Sequence, residues 1–173
     1  HVSYSLNRGL ARASGEFIAR MDSDDICLPQ RLEKQVRSMQ QTPESDVLCS
    51  RVLMIGNKNG VFSTGIRDTR RMKTEVFFGN PIIHPSVMFR AAFLSVHDVT
   101  YRTDADYKAA EDYELWSRCA FFGRIFEYPG ILLKYRMHDR QVSTATRELQ
   151  EVSANRVRRN MLGWLGITPD PHE

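Results

Sequence analysis

The feature that most constrains the fold of this chain is a short apolar run that ends in acidic residues. Phe17 to Met21 has the length and composition of a β-strand, and the four residues after it include Asp22, Asp24 and Asp25. Such a strand carries carboxylates at its C-terminal end, which is the end where open α/β sheets bind ligands. The sequence therefore predicts an α/β fold with an acidic site just beyond this strand.

The acidic turn favours a bound divalent cation. Two carboxylates about 5 Å apart repel by roughly 3 kcal/mol at an effective dielectric constant of 20. A cation removes this repulsion, and carboxylate oxygens are hard ligands that suit Mg²⁺ and Mn²⁺ better than zinc. We therefore expect a Mg²⁺ or Mn²⁺ site at the end of the strand.

Helix capping is one alternative role for these acids, since Asp is a favoured cap residue. Pro29 has the character of a first-turn proline and begins a predicted helix that runs to about Gln41. The apolar residues of that helix have helical spacing and are Leu28, Leu32, Val36 and Met39. Capping accounts for one of the acids more readily than for all three.

A calcium loop of the EF-hand type is the second alternative. Asp22, Asp24 and Glu33 fall at its first, third and twelfth positions. The pattern fails at Ile26, where an oxygen ligand is required, and at Cys27, where the loop needs glycine. The acidic turn is therefore a poor match to this class of site.

The acidic turn and its surroundings resemble the family-2 glycosyltransferases of the GT-A fold. The matching residues are Asn7-Arg8-Gly9, the run from Gly15 to Asp25, Pro29 and Arg31-Leu32. In that family the Asp-x-Asp element holds a divalent metal and, through it, the diphosphate of a nucleotide-sugar. The resemblance implies that Asp24 and Asp22 bind the metal, and that Asp22 or Ser23 lies near the donor ribose.

A second matching segment begins a predicted helix that ends at Gly123. The run Glu111-Asp112-Tyr113-Glu114-Leu115-Trp116 has helical spacing, and acids at a helix N-terminus commonly serve only to complement the helix dipole. In the family pattern, Asp112 is the base that takes the proton from the acceptor hydroxyl. The resemblance gives Glu111 a supporting or acceptor-binding place beside it.

Two further segments resemble the family's pattern. The run from Asn80 to Ser86 resembles Asn-Pro-x-x-His-Pro-Ser, which implies a place for His84 near the donor pyrophosphate or the acceptor, although a lone His is more often structural. The run from Tyr135 to Ser143 resembles Tyr-Arg-x-His-x-x-Gln-x-Ser. There His138 is implied to reach the metal or the diphosphate, and Arg136 to pair with phosphate in a fork.

The rest of the chain gives coarser predictions. We expect a first helix over 2–14, strands over 46–55 and 86–89, a loop or edge strand over 61–71, strands over 124–128 and 131–135 joined at Pro129-Gly130, and a last helix over 147–165. The predicted fold class is a partial GT-A α/β/α sandwich with a mixed sheet. Residues 1–145 would form the metal- and acceptor-binding part of the domain, and residues 146–173 a C-terminal helix and tail.

Composition sets the remaining bounds. A chain of 173 residues with 42% hydrophobic residues has enough apolar surface for one domain. A formal charge of +3 is too small to call for a nucleic-acid partner, and we expect none. The 3 cysteines are widely spaced and are expected to be reduced and buried. No apolar run approaches the length of a membrane span.

The resemblance implies metal-dependent, inverting transfer of a sugar from a nucleotide-diphosphate sugar, with a UDP-sugar favoured. It implies a saccharide or lipid-linked acceptor, cell-surface polysaccharide or glycolipid synthesis, and a cytoplasmic location at the inner face of the membrane, with peripheral membrane association. Family members carry nucleobase-binding strands before the first helix, so we also expect weak donor binding and self-association of this piece. A metal-dependent nucleotidyltransferase and a truncated, non-catalytic folding or oligomerisation module remain as alternatives.

Overall fold

A mixed sheet of six strands forms the centre of the chain. The computed structural model describes residues 2–66, 68–107, 109–138 and 147–168. The strands are β1 (Phe17–Ala19), β2 (Ile26–Cys27), β3 (Val47–Gly56), β4 (Gly60–Phe62), β5 (Met88–Arg90) and β6 (Ile125–Met137). The helices are α1 (Val2–Leu10), α2 (Arg31–Gln41), α3 (Thr69–Phe78), α4 (Ala91–Val96), α5 (Glu111–Phe122) and α6 (Arg147–Trp164), with short 3₁₀ turns at His84–Ser86 and Ala105–Tyr107.

The order of strands explains how the acidic turn reaches the sheet. The order is β1-β5-β3-β6-β2, with β4 paired to β3 outside this path. Only β3 and β6 pair in parallel among the described strands, and since β5 is antiparallel to both β1 and β3, the strands β1, β3 and β6 share one direction. The turn from β1 to β2 therefore crosses the sheet and meets the C-terminal end of β6. This mixed sheet flanked by helices confirms the predicted α/β class.

Helix α2 buries polar side chains together with apolar ones. Leu32 is 53% exposed, whereas Arg31 and Gln35 are fully buried beside Met39. The Arg31 Nη2 atom donates to the backbone oxygens of Arg20 at 2.8 Å and Val87 at 3.2 Å. The Arg31 Nε atom donates to Gln35 Oε1 at 2.9 Å. The helix predicted from Pro29 to about Gln41 is confirmed, but its buried polar face resembles a solvated face in the sequence and was not predicted.

Two other element predictions need correction. The region over 124–137 is one long strand rather than two, because the register jumps from Ser50 opposite Tyr128 to Arg51 opposite Ile131. Pro129 and Gly130 form a bulge within that strand instead of a turn between strands. A Cβ atom on Gly130 would lie 2.7 Å from the Tyr128 ring, so glycine fits this close approach.

The region over 61–71 starts as predicted with a short strand, β4, that ends at Phe62, but the prediction is wrong from Thr69, where α3 begins. Asp68 caps this helix by accepting from the backbone N–H of Arg70 at 2.8 Å. Helix α1 ends at Leu10, four residues earlier than the predicted helix over 2–14. The bounds predicted for α5 and α6 are close to those observed.

The main hydrophobic core lies between the sheet and helices α3, α5 and α6. Trp116 is fully buried and stacks on Phe89 with ring centroids 5.8 Å apart. Helix α6 contributes Val157 and Met161 to the same cluster. Cys49 and Cys119 are buried and unbonded to other cysteines, and burial raises the pKa of the Cys119 thiol to about 12. Within the described ranges, no helix is long and apolar enough to cross a membrane.

The buried face of α2 gives a stability prediction. Arg31→Met should lower the free energy of unfolding by about 2 kcal/mol or more, because the carbonyls of Arg20 and Val87 and the Gln35 side chain lose a buried donor. Leu32→Ala on the same helix should change it by less than about 0.5 kcal/mol, as is usual for exposed positions. Urea denaturation of both variants checks this, and a larger loss from Leu32→Ala than from Arg31→Met would contradict the importance of the polar contacts.

Candidate functional site

The two acidic motifs line one cavity. The turn after β1 and the start of α5 both border a space of about 770 Å³. Of the residues predicted for the site, six contribute to its wall, and they are Asp22, Asp24, His84, Glu111, Asp112 and His138. The cavity thus joins residues from four separate stretches of sequence.

Asp22 is held by an arginine that the sequence analysis did not select. Arg20 Nη1 donates to Asp22 Oδ2 at 2.6 Å, and Arg20 Nη2 lies 2.5 Å from Asp22 Oδ1, which is a two-pronged ion pair. The Arg20 side chain is only 10% exposed and also lines the cavity. Part of the repulsion among the acids is therefore relieved by the protein itself. Arg20 and Asp22 lie two residues apart and so on one side of an extended segment, which was the available signal.

Asp24 faces a histidine from the end of β6. The distance between Asp24 Oδ2 and His138 Nε2 is 3.2 Å, and both side chains are about 40% exposed. Arg136 braces the same turn, since its Nε donates to the backbone oxygen of Asp24 at 2.9 Å. Arg136 itself lies outside the cavity wall. Residues at the end of β6 thus contact the acidic turn through both the side chain and the backbone of Asp24.

Asp25 does not cap α2, because the N-cap position is Gln30. Its side chain is buried, and its Oδ1 accepts from the backbone N–H of Arg136 at 2.8 Å while Oδ2 has no partner in the described part of the chain. Burial raises the pKa of Asp25 to about 6, against the opposing effect of that hydrogen bond. Asp25 therefore joins the turn to β6, which corrects the capping alternative.

Asp112 lies in the first turn of α5 and accepts two hydrogen bonds. The Asn80 side chain donates to Oδ2 at 2.8 Å, and the backbone N–H of Tyr113 donates to Oδ1 at 2.7 Å. Asn80 was quoted in a motif but not selected as a site residue. Burial raises the pKa of Asp112 despite both bonds, opposite to the lowering expected from a helix N-terminus.

Glu111 is half-buried beside Asp112. Burial first, and then the neighbouring charge of Asp112, raises the pKa of Glu111 to about 7. The charge of Asp112 therefore opposes ionisation of Glu111, and Glu111 is partly protonated near neutral pH. Such a pair is well suited to take up a proton from a bound molecule.

His84 is a buried wall residue rather than a charged one. Its Nε2 lies 2.6 Å from the Tyr101 hydroxyl, and its ring packs edge-to-face on Trp116. Asn7 fixes Tyr101 by donating to its backbone oxygen and accepting from its backbone N–H, each at 2.8 Å. Burial holds the pKa of His84 well below its ordinary value. His84 is therefore neutral at pH 7 and shapes the floor of the cavity.

The remaining predicted residues are outside the wall or outside the described ranges. Ser23 is exposed in the turn and does not border the cavity. The segment after His138, from residue 139 to Ser143, lies outside the described residues. Helix α6 adds Gln150, Ala154 and Arg158 to the wall, and none of these was selected from the sequence.

Comparison with known proteins agrees with this arrangement. The family described as Glycosyl transferase family 2 matches residues 1–109. An uncharacterized glycosyltransferase of Haemophilus influenzae is 31% identical over 170 residues, which cover 92% of this chain and 52% of the relative. The amylovoran biosynthesis glycosyltransferase AmsE of Erwinia amylovora is 33% identical over 141 residues, or 76% of this chain and 49% of AmsE. The O-antigen biosynthesis glycosyltransferase WbnJ of Escherichia coli is 29% identical over 167 residues, or 91% and 61%.

Solved structures show the same fold. The crystal structure of S. aureus TarS 1–349 in complex with UDP-GlcNAc has a TM-score of 0.67 and 18% identity, and the match covers 90% of this chain and 50% of that one. The chain therefore spans about half the length of this structure and of the Haemophilus and Erwinia relatives. By its family match and its GT-A fold, the chain belongs to the family-2 glycosyltransferases.

Proposed function

We propose that this chain supplies the acceptor-activating and metal-binding part of an enzyme that moves a sugar from a nucleotide-diphosphate sugar to an acceptor hydroxyl. The observation that carries the proposal is the single cavity bordered by Asp22 and Asp24 on one side and Glu111 and Asp112 on another. A nucleotidyltransferase offers no reason for the second acidic pair, and the family match favours glycosyl transfer.

In the proposed mechanism, Asp112 takes the proton of the acceptor hydroxyl. Asn80 and the Tyr113 amide hold the Asp112 carboxylate in place at the cavity wall. The hydroxyl oxygen then attacks C1 of the donor sugar from the side opposite the leaving nucleoside diphosphate, which inverts the anomeric centre. Glu111 supports this step as a neighbouring acid with a pKa raised to about 7. His84 is a neutral residue of the cavity wall.

The residues of the acidic turn fit a divalent cation in part. Asp24 and His138 converge to 3.2 Å, whereas Asp22 is already paired with Arg20. Among the described residues, no group of three or more His, Cys, Asp and Glu side chains could hold a metal ion by itself. Mg²⁺ and Mn²⁺ are commonly held by one or two carboxylates together with substrate phosphates and water. When bound, such a cation supplies positive charge to the leaving diphosphate.

The comparisons support a donor and a setting for this reaction. TarS was solved with UDP-GlcNAc, which supports a UDP-sugar donor. AmsE and WbnJ act in amylovoran and O-antigen biosynthesis by name, which supports a saccharide or lipid-linked acceptor in cell-surface polysaccharide synthesis. Such acceptors would place the enzyme at the inner face of the membrane. Self-association through the short outer strands β1 and β2 stays a prediction.

The first test concerns the base. Asp112→Asn in the full-length protein should lower sugar transfer by about 10² to 10⁴, the usual contribution of a positioned base, because asparagine keeps the shape but cannot take the proton. Glu111→Gln should lose less. Transfer is measured at saturating donor and metal, with UDP binding by calorimetry as the control for an intact site.

The opposite ranking, with Glu111→Gln inactive and Asp112→Asn near normal, would reverse the two roles. If both variants remain active, the base lies elsewhere and the mechanism fails. Loss of UDP binding in either variant would assign the defect to the fold of the site instead of to proton transfer.

The second test concerns the cation. Asp24→Asn should lose most Mn²⁺ affinity in the presence of UDP, because Asp24 and His138 are the two candidate metal ligands that lie close together. Asp22→Asn should lose less, since Arg20 already occupies both of its oxygens. Asp104→Asn, at an exposed position outside the cavity wall, is the matched control. Equal Mn²⁺ affinity of Asp24→Asn and wild type in calorimetry would remove the metal assignment.

A further inference from the structure

One stripe of helix α6 forms a wall of the cavity. Gln150, Ala154 and Arg158 are spaced four residues apart, so they lie on the same helical face, and all three border the cavity. The helix is anchored in the core below this stripe by Val157 and Met161. The wall is therefore rigid, and its only charged member in this stripe is Arg158.

Arg158 forms no ion pair in the part of the chain that the structure describes. Its Nη1 donates to Asn155 Oδ1 at 2.6 Å and its Nη2 donates to the backbone oxygen of Phe78 at 3.3 Å, and both acceptors are neutral. The other cavity arginine, Arg20, is paired with Asp22. Arg156, on the same helix, is paired with Asp106. A guanidinium held in place by neutral oxygens retains its attraction for an anion.

Arg158 lies on the side of the cavity where the base is found. Phe78, its partner, ends α3 and is separated by Gly79 from Asn80, which donates to Asp112. Burial raises the pKa of the Tyr113 hydroxyl, and the nearby charge of Arg158 opposes that rise. The acidic turn, where the donor diphosphate is proposed to bind, contacts β6 and Arg20 instead. An acceptor hydroxyl placed at Asp112 would therefore lie on the Arg158 side of the cavity.

We propose that Arg158 binds an anionic group, a phosphate or a carboxylate, on the acceptor. The inference rests on the proposed glycosyl transfer, since it needs an acceptor that presents a hydroxyl to Asp112. The four acids in the wall would repel an anionic acceptor, and a cation directly at its charged group offsets that repulsion. A planar guanidinium matches both carboxylate and phosphate oxygens in a two-pronged arrangement.

The test uses matched glycosides and the full-length protein. Each probe is an octyl glycoside in three forms, neutral, uronate and 6-phosphate, with glucose, galactose, mannose and N-acetylglucosamine as the sugars. Affinity is measured by calorimetry in the presence of UDP for wild type, Arg158→Gln, Arg158→Lys and Arg159→Gln. Arg159 is exposed and lies outside the cavity wall, so it controls for the general charge of the helix.

We expect wild type to bind an anionic form about 10- to 100-fold more tightly than its neutral partner, the usual range for a charged hydrogen-bonded contact. Arg158→Gln should remove that preference without changing the affinity for UDP or for the neutral glycoside. Arg158→Lys should restore part of it, and Arg159→Gln should keep it. Preference for the uronate or for the phosphate tells the two sources of negative charge apart.

Equal responses of the wild type to neutral and anionic forms, including no response to either, would overturn the inference. So would a preference that survives Arg158→Gln. Hydrolysis of UDP-sugars in the absence of acceptor reports on the proposed function separately, because it needs donor binding but no acceptor anion. Hydrolysis with no anion preference would support glycosyl transfer and reject the anion site at Arg158. An anion preference with no donor hydrolysis or UDP binding would support anion binding at Arg158 and reject glycosyl transfer.

Discussion

The site depends on the buried polar face of α2. Arg31 joins the end of β1 to the start of β5 through the backbone oxygens of Arg20 and Val87. Gln35 extends this connection, since its side-chain nitrogen donates to the backbone oxygens of Leu48 and Ser86. These bonds supply buried donors to four backbone carbonyls, although the Val87 oxygen also accepts from the backbone N–H of Arg20. They also connect the start of the acidic turn, at Arg20, and the His84–Ser86 turn to the same helix, so both cavity-lining segments are held by α2.

Charge balance in the cavity follows from this arrangement. The acids at the end of β1 and at the start of α5 enter from separate parts of the chain, and each group has its own partner. Arg20 neutralises Asp22, while Asp112 receives two hydrogen bonds and no ion pair from the residues that the structure describes. Burial consequently raises the pKa values of the α5 acids, most clearly at Glu111, where the value is about 7. The acidic turn after β1 thereby suits charged ligands, and the start of α5 suits proton uptake.

Much of this was predictable, because the informative signals were local. The strand that ends in acids, and the helix that starts with Glu111 and Asp112, were both recognised from spacing and residue type. The buried role of Arg31 and Gln35 was not, since their hydrogen-bond partners come from distant segments and hydropathy marks them as surface residues. The sequence predicts a turn at Pro129–Gly130 because proline and glycine are common in turns and in bulges alike. Only the pairing of β6 with β3 shows that these residues form a bulge.

The central claim is that the acids of α5 lie inside the cavity and do more than complement the helix dipole. The ¹³C NMR titration of the Glu111 carboxyl in the full-length protein tests this directly. In the cavity, burial and the charge of Asp112 predict a pKa of about 7, and Asp112→Asn should lower it by removing that charge. An exposed helix N-terminus predicts a shift in the other direction. A Glu111 pKa at or below the ordinary value of 4.5, unchanged by Asp112→Asn, would contradict the account.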